Sequence, residues 1–373
     1  MVKEFTLKHA DENLAQSTFI QLTQLRPQPF PALEIFRCLS VTPSLSHLSL
    51  FISPTIKTVE LGGCDSDNIH VVDPFLFSLT SNPWFSSPKL NHLALRGKAT
   101  TASKIPFALF SHLQSLDIAG EVDLVSLKEI GAIPQLENLV ITISHSITRL
   151  EGVIGFPRLK SLHVTASFPL MQSMLALVAT IYMERVTLVA VCTPAFQRVC
   201  DTSIIVKKKM VAKGKKGKKS VTSKKPLQCS SGEETLSSGT WAPCLAKLNS
   251  RWSTSLISIT LCLDKSKNFK EPIPSGLFAD LPPFSKVERM VLIDCGFQSS
   301  DEDIRELALA LPELRELRLS VVDCVSVNVV QAYSCSDRVF ESSSDEDSHS
   351  PLVKPPQKTS SPRTTTIEAL GTR

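Results

Sequence analysis

Aromatic side chains are scarce. Phe, Trp and Tyr make up 6% of the 373 residues, so a core must be assembled from aliphatic groups. Ten cysteines are present without a framework. No Cys-x-x-Cys pair occurs, and the nearest two are Cys192 and Cys200. Structural zinc needs ligands at short spacing, and disulfide scaffolds are small and cysteine-dense; neither fits, and reduced, mostly buried thiols are expected. The beginning, Met-Val-Lys-Glu-Phe-Thr-Leu-Lys-His-Ala-Asp-Glu, lacks an apolar signal core, and there is no Asn-x-Ser/Thr acceptor with a permitted middle residue. The most apolar stretch, Pro169–Met183, is too short to span a bilayer and contains Gln172, Ser173 and Thr180. It reads as a buried helix of an intracellular, nuclear or cytoplasmic protein with no membrane partner.

Catalytic signatures are missing too. The eight histidines form no His-Glu-x-x-His arrangement, no Gly-x-Ser-x-Gly elbow appears, and Gly214-Lys-Lys-Gly217 lacks the spacing of a phosphate loop. Asp301 and Asp303 read as helix-capping groups rather than an acid/base pair. The expectation is a non-enzyme without metal or cofactor.

What is present is a period. An apolar residue, two variable residues, an apolar residue, one variable residue and an apolar residue recur at Leu90-x-x-Leu93-x-Leu95, Leu113-x-x-Leu116-x-Ile118, Leu136-x-x-Leu139-x-Ile141, Leu159-x-x-Leu162-x-Val164 and Met183-x-x-Val186-x-Leu188, in steps of 23, 23, 23 and 24 residues. The frame extends upstream to patterns starting at Val2, Leu33 and Ile56, and downstream to those starting at Leu256, Val287 and Leu314. That gives eleven candidate strands. Leu45-x-x-Leu48-x-Leu50 also fits the letters but falls midway between two members, so it reads as an intervening helical segment. Proline stands two residues before the first apolar position at Pro31, Pro54, Pro88, Pro134, Pro157 and Pro312, where it ends a helix and turns the chain into the next strand.

A fixed period of this length indicates a solenoid. The fold class is α/β, a leucine-rich-repeat solenoid: a curved parallel sheet with helices or irregular segments on its outer face. One repeat cannot bury its own apolar side, so stacking must do so. Apolar strand positions point inward and the residues between them outward. The outward positions are the candidate partner-binding surface: His92, Ala94, Arg96, Ser115, Asp117, Asn138, Val140, Thr142, Ser161, His163, Thr165, Arg289, Val291, Glu316 and Arg318.

Charge is concentrated. The formal net charge is +4, and ten lysines lie at Lys207, Lys208, Lys209, Lys213, Lys215, Lys216, Lys218, Lys219, Lys224 and Lys225; removing those ten charges leaves −6 for the rest. Like charges at this density repel and have no apolar face to offset ordering. The domain reading is therefore repeats over 1–196, a disordered Lys-rich insertion over 197–250, repeats over 251–325, and a disordered Ser/Pro/acidic tail over 326–373. The lysine segment suits nuclear import or a non-specific, salt-sensitive hold on nucleic acid. In the tail, Ser342, Ser343 and Ser344 each precede an acidic residue by three positions, and Ser350 and Ser361 precede proline. All five are candidate phosphorylation sites.

The full repeat signature adds Asn or Cys three residues after the third apolar position, and only Cys64 and Cys295 match. Val287–Phe297 (Val-Glu-Arg-Met-Val-Leu-Ile-Asp-Cys-Gly-Phe) matches best. Such irregular repeats resemble those attached to F-box proteins, particularly the large fungal sets. Ser300–Leu319 is similar to a common terminal repeat there, and Leu50–Leu61 resembles that family as well. The resemblance implies the substrate-recognition region of a ubiquitin-ligase receptor whose concave strand face binds a protein. It also implies an F-box ahead of the repeats that docks a ligase adaptor. The first strand pattern here begins at Val2, and no F-box is recognisable, so adaptor docking is expected only if one precedes these residues. The alternative expectation is a nuclear or chromatin/RNA-associated factor acting through Lys207–Lys225.

Overall fold

A computed structural model describes residues 2–8, 16–26, 28–42, 45, 48–81, 89–97, 105, 107–151, 155–191, 241–264, 278, 282–293, 300–320 and 364–368. The chain forms one sheet whose spatial order repeats its sequence order. Eleven strands run parallel: β1 (Glu4–Leu7), β2 (Ile35–Cys38), β3 (Thr58–Gly62), β4 (His92–Arg96), β5 (Ser115–Val122), β6 (Asn138–Ile143), β7 (Ser161–Ala166), β8 (Arg185–Ala190), β9 (Ser258–Leu263), β10 (Arg289–Ile293) and β11 (Glu316–Ser320). Each coincides with one of the eleven apolar patterns. At about 4.8 Å per step the array is roughly 50 Å long. It is an open, unclosed α/β sheet with one strand per repeat, a leucine-rich-repeat solenoid.

The register explains why the pattern must be so regular. Leu93, Leu116, Leu139 and Leu162 are successive partners, as are Leu95, Ile118, Ile141 and Val164. All eight are at most 1% exposed, so the two apolar columns run through the stack as a continuous aliphatic spine. A slip of one residue in any strand would turn its whole apolar set outward.

The segments between strands close the other side of the spine. These segments carry the helices α1 (Gln16–Leu25), α2 (Ile69–Ser81), α3 (Leu124–Gly131), α4 (Phe168–Leu177), α5 (Trp241–Trp252) and α6 (Asp301–Ala310), with 3-10 turns at Leu48–Phe51, Ser66–Asn68 and Phe107–Leu109 in the N-terminal part. One such turn, Leu48–Phe51, occupies the pattern that falls between two repeats, as expected. Pro31, Pro54, Pro134, Pro157 and Pro312 all sit in turns entering a strand; Pro88 lies outside the described residues. The scarce aromatics are concentrated at the N-terminal end. Phe51 stacks with Phe5, Phe30 and Phe36, with ring centroids 4.9, 5.2 and 4.6 Å apart.

Three local readings are corrected. The cap of α6 is Ser300, not Asp301 or Asp303. Its hydroxyl accepts from the Asp303 backbone N–H at 3.1 Å, and the Asp303 carboxylate accepts from the Ser300 N–H at 3.1 Å. A serine in extended geometry can accept from the first turn. The second correction concerns residues 241–250, which belong to α5 rather than to the Lys-rich insertion. Trp241, Cys244, Leu245, Leu248 and Trp252 repeat at helical spacing and are buried, a pattern that the nearby charge run obscured. Third, within the tail, Thr364–Glu368 forms β12 and pairs antiparallel with β11. A short β-branched run has the propensity to add to an open sheet edge.

The break in the period does not interrupt the sheet. β8 and β9 pair along six residues, from Arg185↔Ser258 to Ala190↔Leu263. On the opposite side, α5 is fastened to the preceding repeat. The Trp252 indole N–H donates to the Thr180 carbonyl at 2.7 Å, and the Arg251 guanidinium donates to the Leu175 and Ala176 carbonyls at 2.9 and 2.6 Å. Trp241 meets Phe168 edge-on at 4.8 Å. Burial pushes the Cys244 thiol up to about 12, and the described cysteines Cys38, Cys64, Cys244 and Cys262 form no disulfide.

Candidate functional site: the outward face of the sheet

Each strand lends outward side chains to three rows that cross the sheet. The first row contains His92, Ser115, Asn138, Ser161, Arg185, Ser258, Arg289 and Glu316 as successive partners. The second contains Arg37, Glu60, Ala94, Asp117, Val140, His163, Thr187, Thr260, Val291 and Arg318. The third includes Thr142, Thr165, Val189, Cys262 and Ile293. The structure thus brings the candidates His92, Arg96, Ser115, Asp117, Asn138, Thr142, Ser161, His163, Arg289, Glu316 and Arg318 onto one face. All of them retain solvent exposure. Ala94 is the exception among the outward positions, at 0% exposed. Its methyl is too short to stand clear of the row neighbours Glu60 and Asp117. Lys207–Lys225 and Ser342, Ser343, Ser344, Ser350 and Ser361 lie outside the described residues.

Charges on this face neutralise one another across strands. Arg37 lies between Glu4 and Glu60, bonding Glu60 at 2.9 Å. The hydrogen bond that Arg37 donates to the Glu60 carboxylate is the main reason its guanidinium holds the proton above its ordinary range. Arg96 meets Asp117 at 3.3 Å, Arg289 meets Glu316 at 3.1 Å, and Arg318 shares the same carboxylate. The rim beside the strands repeats the device. Lys57 and Lys3 reach Glu34 at 2.7 and 3.1 Å, and their hydrogen bonds, Lys57 first, lower the Glu34 pKa. Lys160 reaches Glu137 at 3.0 Å. Opposite charges on adjacent strands favour pairing modestly.

From β6 to β9, apart from the exposed Arg185 at the start of β8, the ladder gives way to short neutral groups: Asn138, Val140, Thr142, Ser161, Thr165, Thr187, Val189, Ser258 and Thr260. His163 stands among them. Its pKa is lowered, chiefly by burial, with Asp117 pulling the other way, which favours the neutral imidazole, a group that can both donate and accept. His92 is lowered for the same first reason, opposed by Glu60 and Asp117.

Residue-by-residue reading of the sequence missed Arg37, Glu60, Arg185, Thr187, Ser258 and Thr260, although the same frame contains them. The insertion between β8 and β9 hid the adjacency of those two strands. Among the described residues, no three His, Cys, Asp or Glu side chains gather to hold a metal ion, and no helix is long and apolar enough to cross a membrane. No protein-family profile and no curated protein matches the chain.

Proposed function

We propose that the protein is a non-catalytic recognition scaffold that binds another protein on the outward face of its sheet. The observation that supports this most is the face itself. Eleven parallel strands present three rows of half-exposed side chains on one side, while the helices and turns whose ends meet the apolar columns lie on the other. Loops connect it and a rigid spine fixes its spacing, so a partner meets a preorganised surface with little ordering cost. In the repeat pattern of Val287–Phe297 and Ser300–Leu319 the chain resembles the substrate-recognition region of F-box/leucine-rich-repeat ubiquitin-ligase receptors. We read it as that kind of region in the nucleus or cytoplasm; recruitment of a ligase adaptor would require an F-box in addition to these residues.

Site-directed photocrosslinking tests the reading. A photoreactive residue replacing Val140 on the strand face should trap a partner in cells, and one replacing the exposed Val125 on α3 should not. Trapping at Val125 alone would refute it. The second reading, a nuclear or RNA-associated factor working through Lys207–Lys225, rests on the density of ten lysines in that segment. Deleting the segment should leave trapping at Val140 intact; loss of nuclear retention together with all partner capture would favour the second reading.

A further inference from the structure

The parallel array ends on β11, and an end strand offers unpaired backbone N–H and C=O groups to any extended segment that reaches them. β12 is seated on that edge. It pairs with β11 along five residues in the antiparallel sense, whereas β1 to β11 pair with one another in parallel. Residues 321–363 separate the two strands in the sequence, so no tight turn dictates the pairing. The edge of β11 accepts a strand delivered from far along the chain.

The match of β12 to this edge is uneven. Its register places Thr365 across from Leu319, Ile367 across from Leu317 and Glu368 across from Glu316. In the column that leads to Leu319, the preceding Leu188, Leu261 and Leu292 are 0, 0 and 2% exposed. Leu319 keeps partial exposure with β12 in place, while Leu317, across from the isoleucine, is buried. A threonine thus occupies the register position where the other strands carry an aliphatic residue or cysteine. The charge row is better served. Arg289 and Arg318 both bond the Glu316 carboxylate, and Glu368 brings a second acid to the same row. Like charges directly opposite repel, but here two guanidinium groups stand against two carboxylates.

We propose that the outer edge of β11 is a docking surface that takes an extended segment of a partner protein by strand addition, with β12 as its weaker resident occupant. The segment runs antiparallel to β11. It carries an aliphatic residue across from Leu319, a second across from Leu317 and a carboxylate across from Glu316. Chain direction fixes the order as aliphatic, any residue, aliphatic, acid. In this mode main-chain hydrogen bonds supply the binding and alternate side chains supply the selectivity. The surface is a backbone edge, separate from the side-chain face of the sheet.

Labelled peptides spanning residues 361–371 test the proposal when titrated into the full chain by fluorescence anisotropy. A peptide with Thr365→Ile should bind at least about tenfold tighter than the natural sequence, because it closes the column at Leu319. Ile367→Asp placed in the full chain, outside the eleven parallel strands, weakens the resident strand and should raise the affinity for both peptides. A photoreactive residue replacing Thr366 in the Thr365→Ile peptide should label β10 or β11. Four results would each overturn the site: equal affinities of the two peptides, an Ile367→Asp chain that binds them no better than the natural chain, a Glu368→Lys peptide that binds as tightly as the natural sequence, or labelling confined to β1–β9. None of these results alters partner trapping at Val140, so the edge and the face succeed or fail separately.

Discussion

The outward face between β1 and β5 and the same face between β6 and β9 share backbone, register and inward spine, yet they spend their side chains differently. In the first region, Glu4, Arg37 and Glu60 form one cross-strand network and Arg96 and Asp117 another. Those groups are engaged with neighbouring repeats. In the second, the equivalent positions hold Asn138, Thr142, Ser161, His163 and Thr187, which are free to trade water for a partner. Because both regions stand on the same aliphatic columns, the difference lies wholly in the outward residues. Stability and surface chemistry are thus carried by alternate residues of each strand and can be varied separately.

That separation can be broken most severely at the seam joining the two halves of the array. Trp252→Ala empties a buried site and leaves the Thr180 carbonyl without its indole donor. A loss of about 3–5 kcal/mol is expected, measurable by urea unfolding; a loss below about 1 kcal/mol would mean that α5 is not integral to the stack. A tight approach between repeats comes next. A Cβ on Gly155 would lie 2.0 Å from the Gly131 carbonyl oxygen, and the following Phe156 already holds a left-handed φ of 61°. Gly155→Ala should cost about 1–3 kcal/mol as the backbone shifts, and an unchanged denaturation midpoint would contradict the packing described.

Smaller effects sharpen the contrast at the surface. A double-mutant cycle between Arg37 and Glu60, each to Ala, should give a coupling of about 0.2–1 kcal/mol that weakens with salt. The same cycle applied to Asn138 and Ser161 should give a coupling near zero; equal couplings would erase the distinction between the regions. The smallest effect is in pH. His163 and His92 have folded pKa values below the ordinary 6.5, so the unfolded chain binds protons that the folded chain resists. Their contribution is fully present above about pH 6.5 and is lost as pH falls from there toward the folded values. His163→Gln should flatten part of the decline in Tm between about pH 7 and pH 5 measured by calorimetry. An identical slope in the variant would show that the imidazole is not held neutral by burial.

Much of this architecture was legible beforehand because inward positions are governed by burial alone. Any aliphatic that fills the column will do, and so Leu90 through Leu188 keep time in steps of 23 or 24 residues. Outward positions obey no such rule, and there the reading was uneven. The candidate residues fell on one face because the period put them there, but their ion pairs depend on which residue stands opposite. That partner is a whole repeat away in sequence. Ala94 has an outward position and no exposure, since the reach of its neighbours decides what solvent touches. The adjacency of Arg185 and Ser258 was invisible for a related reason: only pairing between β8 and β9 makes neighbours of residues on either side of the lysine segment. Helix α5 was missed because a dominant charge signal masked a short apolar face.

The direct pairing of β8 with β9 has a practical meaning for the chain as a polymer. Elsewhere a single residue, Asp123 or Ser167, carries the backbone from a strand into its helix. The forty-nine residues between Val191 and Trp241 are consequently not dictated by the distance to be covered. Because β8 and β9 pair directly along six residues, a change in the length of that segment is expected to leave the surrounding stack folding as before.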